Sequence, residues 1–165
     1  MLMSMLSYAA TIFLTHHAAS LIQLTAHRFL GHRTGGGHIS RVHAYEHHGV
    51  YSKDRMISER YLDEARSVDY YYAIPALLVA VSAYAVLPLD LLVTHLVTLG
   101  FSTFAHFYLH VQYHLRNTWL NRYAWFQRKQ RLHLLHHRNM SRNYAVIEFV
   151  WDRLLGTFQD MPAAR

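Results

Sequence analysis

Three stretches of the chain, residues 5–26, 70–87 and 89–109, are almost wholly apolar and show no sustained polar face. A helix at the surface of a soluble protein needs such a face. At about 1.5 Å per residue, each stretch is long enough to enter a hydrocarbon layer of about 30 Å. The pattern therefore predicts about three membrane helices. Pro88 divides the second from the third, with Asp90 just beyond, and reads as a tight helix–helix turn at the far membrane face. The first stretch lacks a charged n-region and a small-residue cleavage site, so it reads as a membrane helix and not as a removable signal. Gly35-Gly36-Gly37 predicts a turn after the first helix. No Gly-Lys-Ser/Thr follows it, which excludes a phosphate loop. The length of 165 residues suits one domain over 1–165.

Charge sharpens this picture. The 16 basic residues outnumber the 10 acidic ones, and all of the Lys and Arg fall in 28–66 and 116–165. Lys and Arg are retained on the cytoplasmic side, which predicts an external N-terminus, a cytoplasmic 28–69, an external turn at Pro88 and a cytoplasmic 115–165. Three crossings satisfy that parity; a shallow re-entrant hairpin formed by the second and third stretches gives the same sidedness. A nucleic-acid partner is not expected, because it leaves the long uncharged stretches without a purpose. With no cysteine, disulfides, thiolate zinc sites and iron–sulfur ligation are excluded.

The chain carries 15 histidines, and ten of them form four clusters at or beyond the predicted cytoplasmic helix ends. His27 and His32 are spaced H-x4-H. His43, His47 and His48 form H-x3-H-H. His110 and His114 form H-x3-H, and His133, His136 and His137 form H-x2-H-H. On an α-helix, positions three and four apart share a face. His110 would therefore stand beside His114, His133 beside His136 and His137, and His43 beside His47 with His48 turned about 100° away. One helix then touches two ions. His27 and His32 would not share a face on an unbroken α-helix, and Gly31 is where the chain is expected to leave it. Imidazole suits zinc, iron, copper and nickel. Ten imidazoles exceed the needs of one ion and suffice for two. His106, one turn deeper than His110, reads as a second-shell partner or an alternative ligand; His16, His17 and His95 read as helix–helix hydrogen-bonding groups or cavity lining.

The cluster order resembles the fatty acid hydroxylase superfamily, which includes sterol desaturases, sterol methyl oxidases and carotenoid ring hydroxylases. Asn143-Tyr144 followed by Trp151-Asp152-Arg153-Leu154-Leu155-Gly156-Thr157 is similar to that superfamily's C-terminal motif, so the resemblance covers 27–157. It implies an all-α integral membrane domain with a cytosolic helical cap over a dimetal centre, ligated by His27, His32, His43, His47, His48, His110, His114, His133, His136 and His137. It also implies a membrane oxidoreductase of the non-haem diiron type, using O₂ and two electrons to hydroxylate or desaturate a lipid C–H position. Two departures stand out. The second cluster has three intervening residues where many members have two. The apolar stretches number three where four helices are common.

Attack on an unactivated C–H bond needs a redox metal, so iron is expected for activity. Zinc has no redox chemistry and would be a substitute acquired in purification. No cytochrome-b5-like or ferredoxin-like segment is present, so electrons are expected from a separate protein of either kind. Arg128, Lys129 and Arg131 read chiefly as topology determinants, with docking of an acidic donor or anionic lipid as the sharper alternative. A desaturase with the same site is the nearest competing function. A bis-histidine haem electron carrier is the competitor from another class, and it would want His pairs facing across a bundle. A metal transporter would want ligands along a crossing path, and a zinc protease an H-E-x-x-H that the chain lacks.

Overall fold

The computed structural model describes residues 2–63 and 69–160. Arg66 and Arg165, which close the two basic regions, lie outside them. Every regular element among the described residues is helical, apart from an isolated bridge between Ser58 and Leu115. Helix α1 (Leu2–Ala26) runs directly into a π-helical turn, His27–Gly31. A 3₁₀ turn (Thr34–Gly36), α2 (His38–Ser40), a second π-helical stretch (Arg41–His47) and α3 (His48–Val50) follow. Then come α4 (Asp69–Tyr84), α5 (Leu89–Tyr113), a 3₁₀ turn (Trp119–Arg122), α6 (Ala124–Arg138) and α7 (Val150–Leu154).

Two helical spans, Ser4–Gly31 and Leu89–Tyr113, are long and apolar enough to cross a bilayer. The middle apolar stretch, expected as a third crossing, forms α4. At 16 residues, α4 covers roughly 24 Å, short of a full hydrocarbon core. The helix stops at Tyr84 because the chain must turn before Pro88: the N–H groups of Val86 and Leu87 both donate back to the Ala83 carbonyl. The turn expected at Pro88 is present, and Pro88 caps α5.

The helices are arranged with apolar side chains outward and polar ones inward. Met5, Ile12, Phe13 and Leu14 of α1, Leu77, Leu78 and Val81 of α4, and Val93, Val97, Phe101 and Phe104 of α5 are all exposed. Between the helices lie Thr15, Ser20, Gln23, His95, Ser102 and His106, all buried. Only 17% of the apolar window of the first span and 28% of that of the second is buried, the reverse of a soluble core helix. A surface this apolar matches lipid as its solvent. Hydrogen bonds between buried polar groups join α1 to α5: Thr15 to His95 (2.8 Å) and His16 to Ser102 (3.0 Å), with Tyr8 donating to Asp90 (2.7 Å) near the far end.

The remaining apolar burial lies around the histidines. Leu24, Leu132, Tyr144, Ala145 and Phe149 tie α1 to α6 and the chain after it. Leu109, Tyr113, Leu120, Phe126 and Val146 tie α5 to α6. Ala26 and Val42 join the end of α1 to the second π-helical stretch. The glycine turn is required where it stands: a Cβ on Gly36 would sit 2.0 Å from the Leu30 carbonyl oxygen, and Gly37 has φ +59°.

Candidate metal centre

The ten clustered histidines converge into two groups of five. His27, His32, His43, His48 and His136 form the first; His47, His110, His114, His133 and His137 form the second. Within each group the candidate ligand nitrogens lie within 4.8 Å of one another. The groups abut, with the His48 and His137 rings stacked at 4.1 Å.

Helix geometry explains the sorting, and it differs from the expectation at two clusters. His27 and His32 do meet, with their Nε2 atoms 3.0 Å apart, and the helix does end at Gly31 as expected, but its last turn is not α-helical. The turn widens to a π-helix, whose i→i+5 hydrogen bonds bring residues five apart onto one face. The same widening governs Arg41–His47, where the His48 N–H donates to the His43 carbonyl. His43 is therefore grouped with His48, and His47 faces the other group. On the α-helix α6, His133 and His137 (four apart) join the second group, whereas His136, expected beside His133, turns to the first. Both triple clusters thus follow one rule: the outer histidines share a group and the middle one serves the other. The additional residue in H-x3-H-H is absorbed by the π-turn. His110 and His114 share a group as an α-helix dictates.

Five rings are fixed through Nδ1. His27 donates to the Tyr144 carbonyl (2.5 Å), His136 to that of Arg142 (2.7 Å), His137 to that of Tyr51 (2.9 Å) and His114 to that of Met56 (2.8 Å). His47 donates to the Asp63 carboxylate (2.8 Å). A carbonyl only accepts, so the first four rings carry their proton on Nδ1 and turn a bare Nε2 inward. His32 Nε2 lies 3.0 Å from the bare Nε2 of His27 and also 3.0 Å from that of His136. His43 Nε2 is 2.8 Å from His27 Nε2, and His133 Nε2 is 3.1 Å from His114 Nε2. One proton on His32 cannot bridge both neighbours, so lone pairs face one another. The Nε2 atoms of His47 and His137 are buried without a hydrogen-bond partner among the described residues. Such crowding of bare nitrogens is costly unless a cation lies between them. Ligands at right angles about an ion, each about 2.1 Å from it, stand about 3 Å apart. The donor set fits metal ions, and five imidazoles per group exceed the four donors of a structural zinc site.

Burial keeps these rings neutral. It pushes His32 down to about 2, with His27 beside it adding to the effect. Burial also lowers His114 to about 4, against the opposing pull of the Met56 carbonyl. His43, His133, His136 and His137 are likewise held well below the ordinary value, burial first in each case. Histidines of both groups also stand in the last turns of α5 and α6, where the helix dipoles present partial negative charge favourable to a cation.

The motif at 143–157 builds part of this shell. Asp152, fully buried, accepts hydrogen bonds from the N–H groups of Tyr144 and Ala145 (both 2.9 Å) and from the Thr157 hydroxyl (2.6 Å). Asn143, at φ +53°, donates to the carbonyls of Leu132 and Gln159 and accepts from the Gln159 N–H. Together they hold the Tyr144 carbonyl against His27.

The chain matches the model of a known protein family over residues 5–157. It belongs to the fatty acid hydroxylase family. Membership implies an oxidoreductase that hydroxylates or otherwise oxidises lipids, and the histidine groups are able to bind metal. No curated protein and no solved structure matches the chain.

Other expected residues fall outside the two groups. His106 stacks one turn below His110 (6.2 Å). His95 and His16 join α1 to α5 as hydrogen-bonding groups, and His17 packs against Phe13 and Trp151. Sequence reasoning missed Tyr51 and Asp63. Tyr51 is fully buried, stacks on His114 at 3.9 Å and offers its carbonyl to His137. Its position four residues after His47 was an available signal. Asp63 sits in an irregular segment, where no periodicity marks it.

Proposed function

We propose that this member of the family is an O₂-dependent membrane hydroxylase acting on a lipid C–H bond. The two abutting five-histidine groups at the ends of apolar helices carry this reading. In it, His27, His32, His43, His48 and His136 hold one metal ion, and His47, His110, His114, His133 and His137 hold the other. A bound pair of redox-active ions, iron by the demands of C–H oxidation, would supply the oxidising chemistry. The protein's part is positioning and exclusion of water. The carbonyls of Tyr51, Met56, Arg142 and Tyr144 keep Nδ1 protonated, so that Nε2 stays free to ligate. Tyr113, Tyr51 and Phe126, each wholly buried, pack around the second group and keep bulk water away.

A lipid chain suits the surroundings. A groove of about 490 Å³ between α4 and α5, lined by Ile74, Leu77, Leu96, Leu99, Gly100 and Thr103, is almost entirely apolar. Thr103 lies two turns of α5 from His110. Electrons would come from a separate ferredoxin-like or cytochrome-b5-like protein approaching from the cytoplasmic side, the side that the basic regions favour for the site. A haem between paired histidines is disfavoured, since nitrogens about 3 Å apart leave no slot for a flat macrocycle.

The test is metal analysis and visible absorption of protein purified anaerobically in mild detergent, followed by lipid product analysis with O₂ and a reductant. About two ions per chain, no Soret band and a hydroxylated lipid are expected. A Soret band, or absence of metal, overturns the reading; an alkene product moves it to desaturation.

A further inference from the structure

Of the five rings fixed through Nδ1, one is held differently from the other four. His27, His114, His136 and His137 donate through Nδ1 to neutral main-chain carbonyls, whereas His47 donates to the Asp63 carboxylate at 2.8 Å. Both partners are withdrawn from water, with side-chain exposures of 3% and 13%. Asp63 is itself positioned. The Tyr51 hydroxyl accepts the N–H of the preceding Leu62 at 2.6 Å, and the Tyr61 hydroxyl reaches the same carboxylate oxygen at 3.5 Å.

His47 belongs to the second group only. The fixed rings of the first group, His27 and His136, meet no carboxylate. We propose that Asp63 makes the two metal positions unequal, so that the ion held by His47, His110, His114, His133 and His137 is bound more tightly than its neighbour. This rests on the ligand assignment above.

The physical reason is charge. All ten ligands are neutral imidazoles, and a divalent ion among them is otherwise balanced only by partial charges. A carboxylate accepting the Nδ1 proton pushes electron density into the His47 ring and makes Nε2 the better donor. It also adds a full negative charge beside one position. Loss of such an outer partner typically costs 10–100-fold in metal affinity. Asp63 acts through His47, so it is a positioning residue.

Zinc is a suitable redox-silent probe. Protein loaded with zinc in detergent is titrated with a chelator and the retained metal counted. The wild type should release its two ions in separate steps. His136→Ala, which removes a ligand of the first group, should abolish the weaker step and keep the tighter. Asp63→Asn preserves the volume and an acceptor oxygen but not the charge. It should weaken the tighter step 10–100-fold, and Asp63→Glu should restore it in part. The double variant D63N/H136A should retain no zinc at a chelator concentration where H136A keeps one ion. Two unchanged steps in D63N overturn the proposal, as does weakening confined to the step that H136A removes. A wild type that binds no zinc instead defeats the dimetal reading itself.

Discussion

At the scale of single residues, the centre depends on which nitrogen of each ring is free. His136 is fully buried, with Nδ1 on the Arg142 carbonyl and Nε2 facing His32. His136→Ala should lower bound metal from about two ions to about one per chain by elemental analysis, and abolish lipid oxidation. Unchanged metal content would refute its role as a ligand. Asp152 acts at one remove. Asp152→Asn puts an amide donor against the N–H of either Tyr144 or Ala145, and the unmade bond should cost roughly 1–3 kcal/mol of stability. A lower melting temperature in detergent with the metal stoichiometry retained is the expected result. The ten histidines were legible because imidazole is rare enough to stand out and clusters where helices end. Asp63 was not, because its contact to His47 forms through tertiary folding, and Tyr51 was marked only by standing four residues after His47. The Tyr144 and Met56 carbonyls carry no side-chain signature.

At the scale of elements, periodicity was read with one ruler, and the chain uses two. The α-helical rule sorted His110, His114, His133 and His137 as observed. It mispaired His43 with His47, since a π-turn differs from an α-turn by one residue that composition does not announce, and His133 with His136, which the two adjoining groups divide. A direct test follows. Tyr45 is exposed on the second π-helical stretch. Deleting it gives H-x2-H-H, which an α-helix can sort as α6 sorts His133, His136 and His137. The deletion should keep two ions bound. Deleting Val111, between His110 and His114 on α5, should instead turn His110 away and lose at least one. The comparison is metal content after gel filtration. The apolar stretch 70–87 shows another limit of the pattern: hydrophobicity marked the segment, but the turn before Pro88 takes its last residues out of the helix.

For the molecule as a whole, acid is the informative perturbation. In the folded protein His114 takes a proton only near pH 4, whereas an unfolded chain takes it near 6.5. The unfolded state therefore binds more protons below pH 6.5, and stability falls with acidification. For His114 alone the loss is about 3 kcal/mol, spread between pH 6.5 and 4. The apo-protein's melting temperature should decline over that window, and bound metal should be released in the same direction. A flat profile would show that these rings are not held neutral. Sidedness is open to a separate test: an N-terminal tag should resist protease in sealed cytoplasm-facing-out vesicles, and a tag beyond residue 160 should be cleaved.

The division of ligands along the chain bears on how the protein is made. Each five-histidine group takes members from near the first apolar span and from α6. During synthesis, His133, His136 and His137 are the last of the ten to emerge, after α1 and α5. No ion can acquire its full ligand set until α6 has left the ribosome. On the proposed assignment, metal loading is thus a late step in the making of the chain. On that assignment, the chain that first meets metal is one whose α6 has already been made.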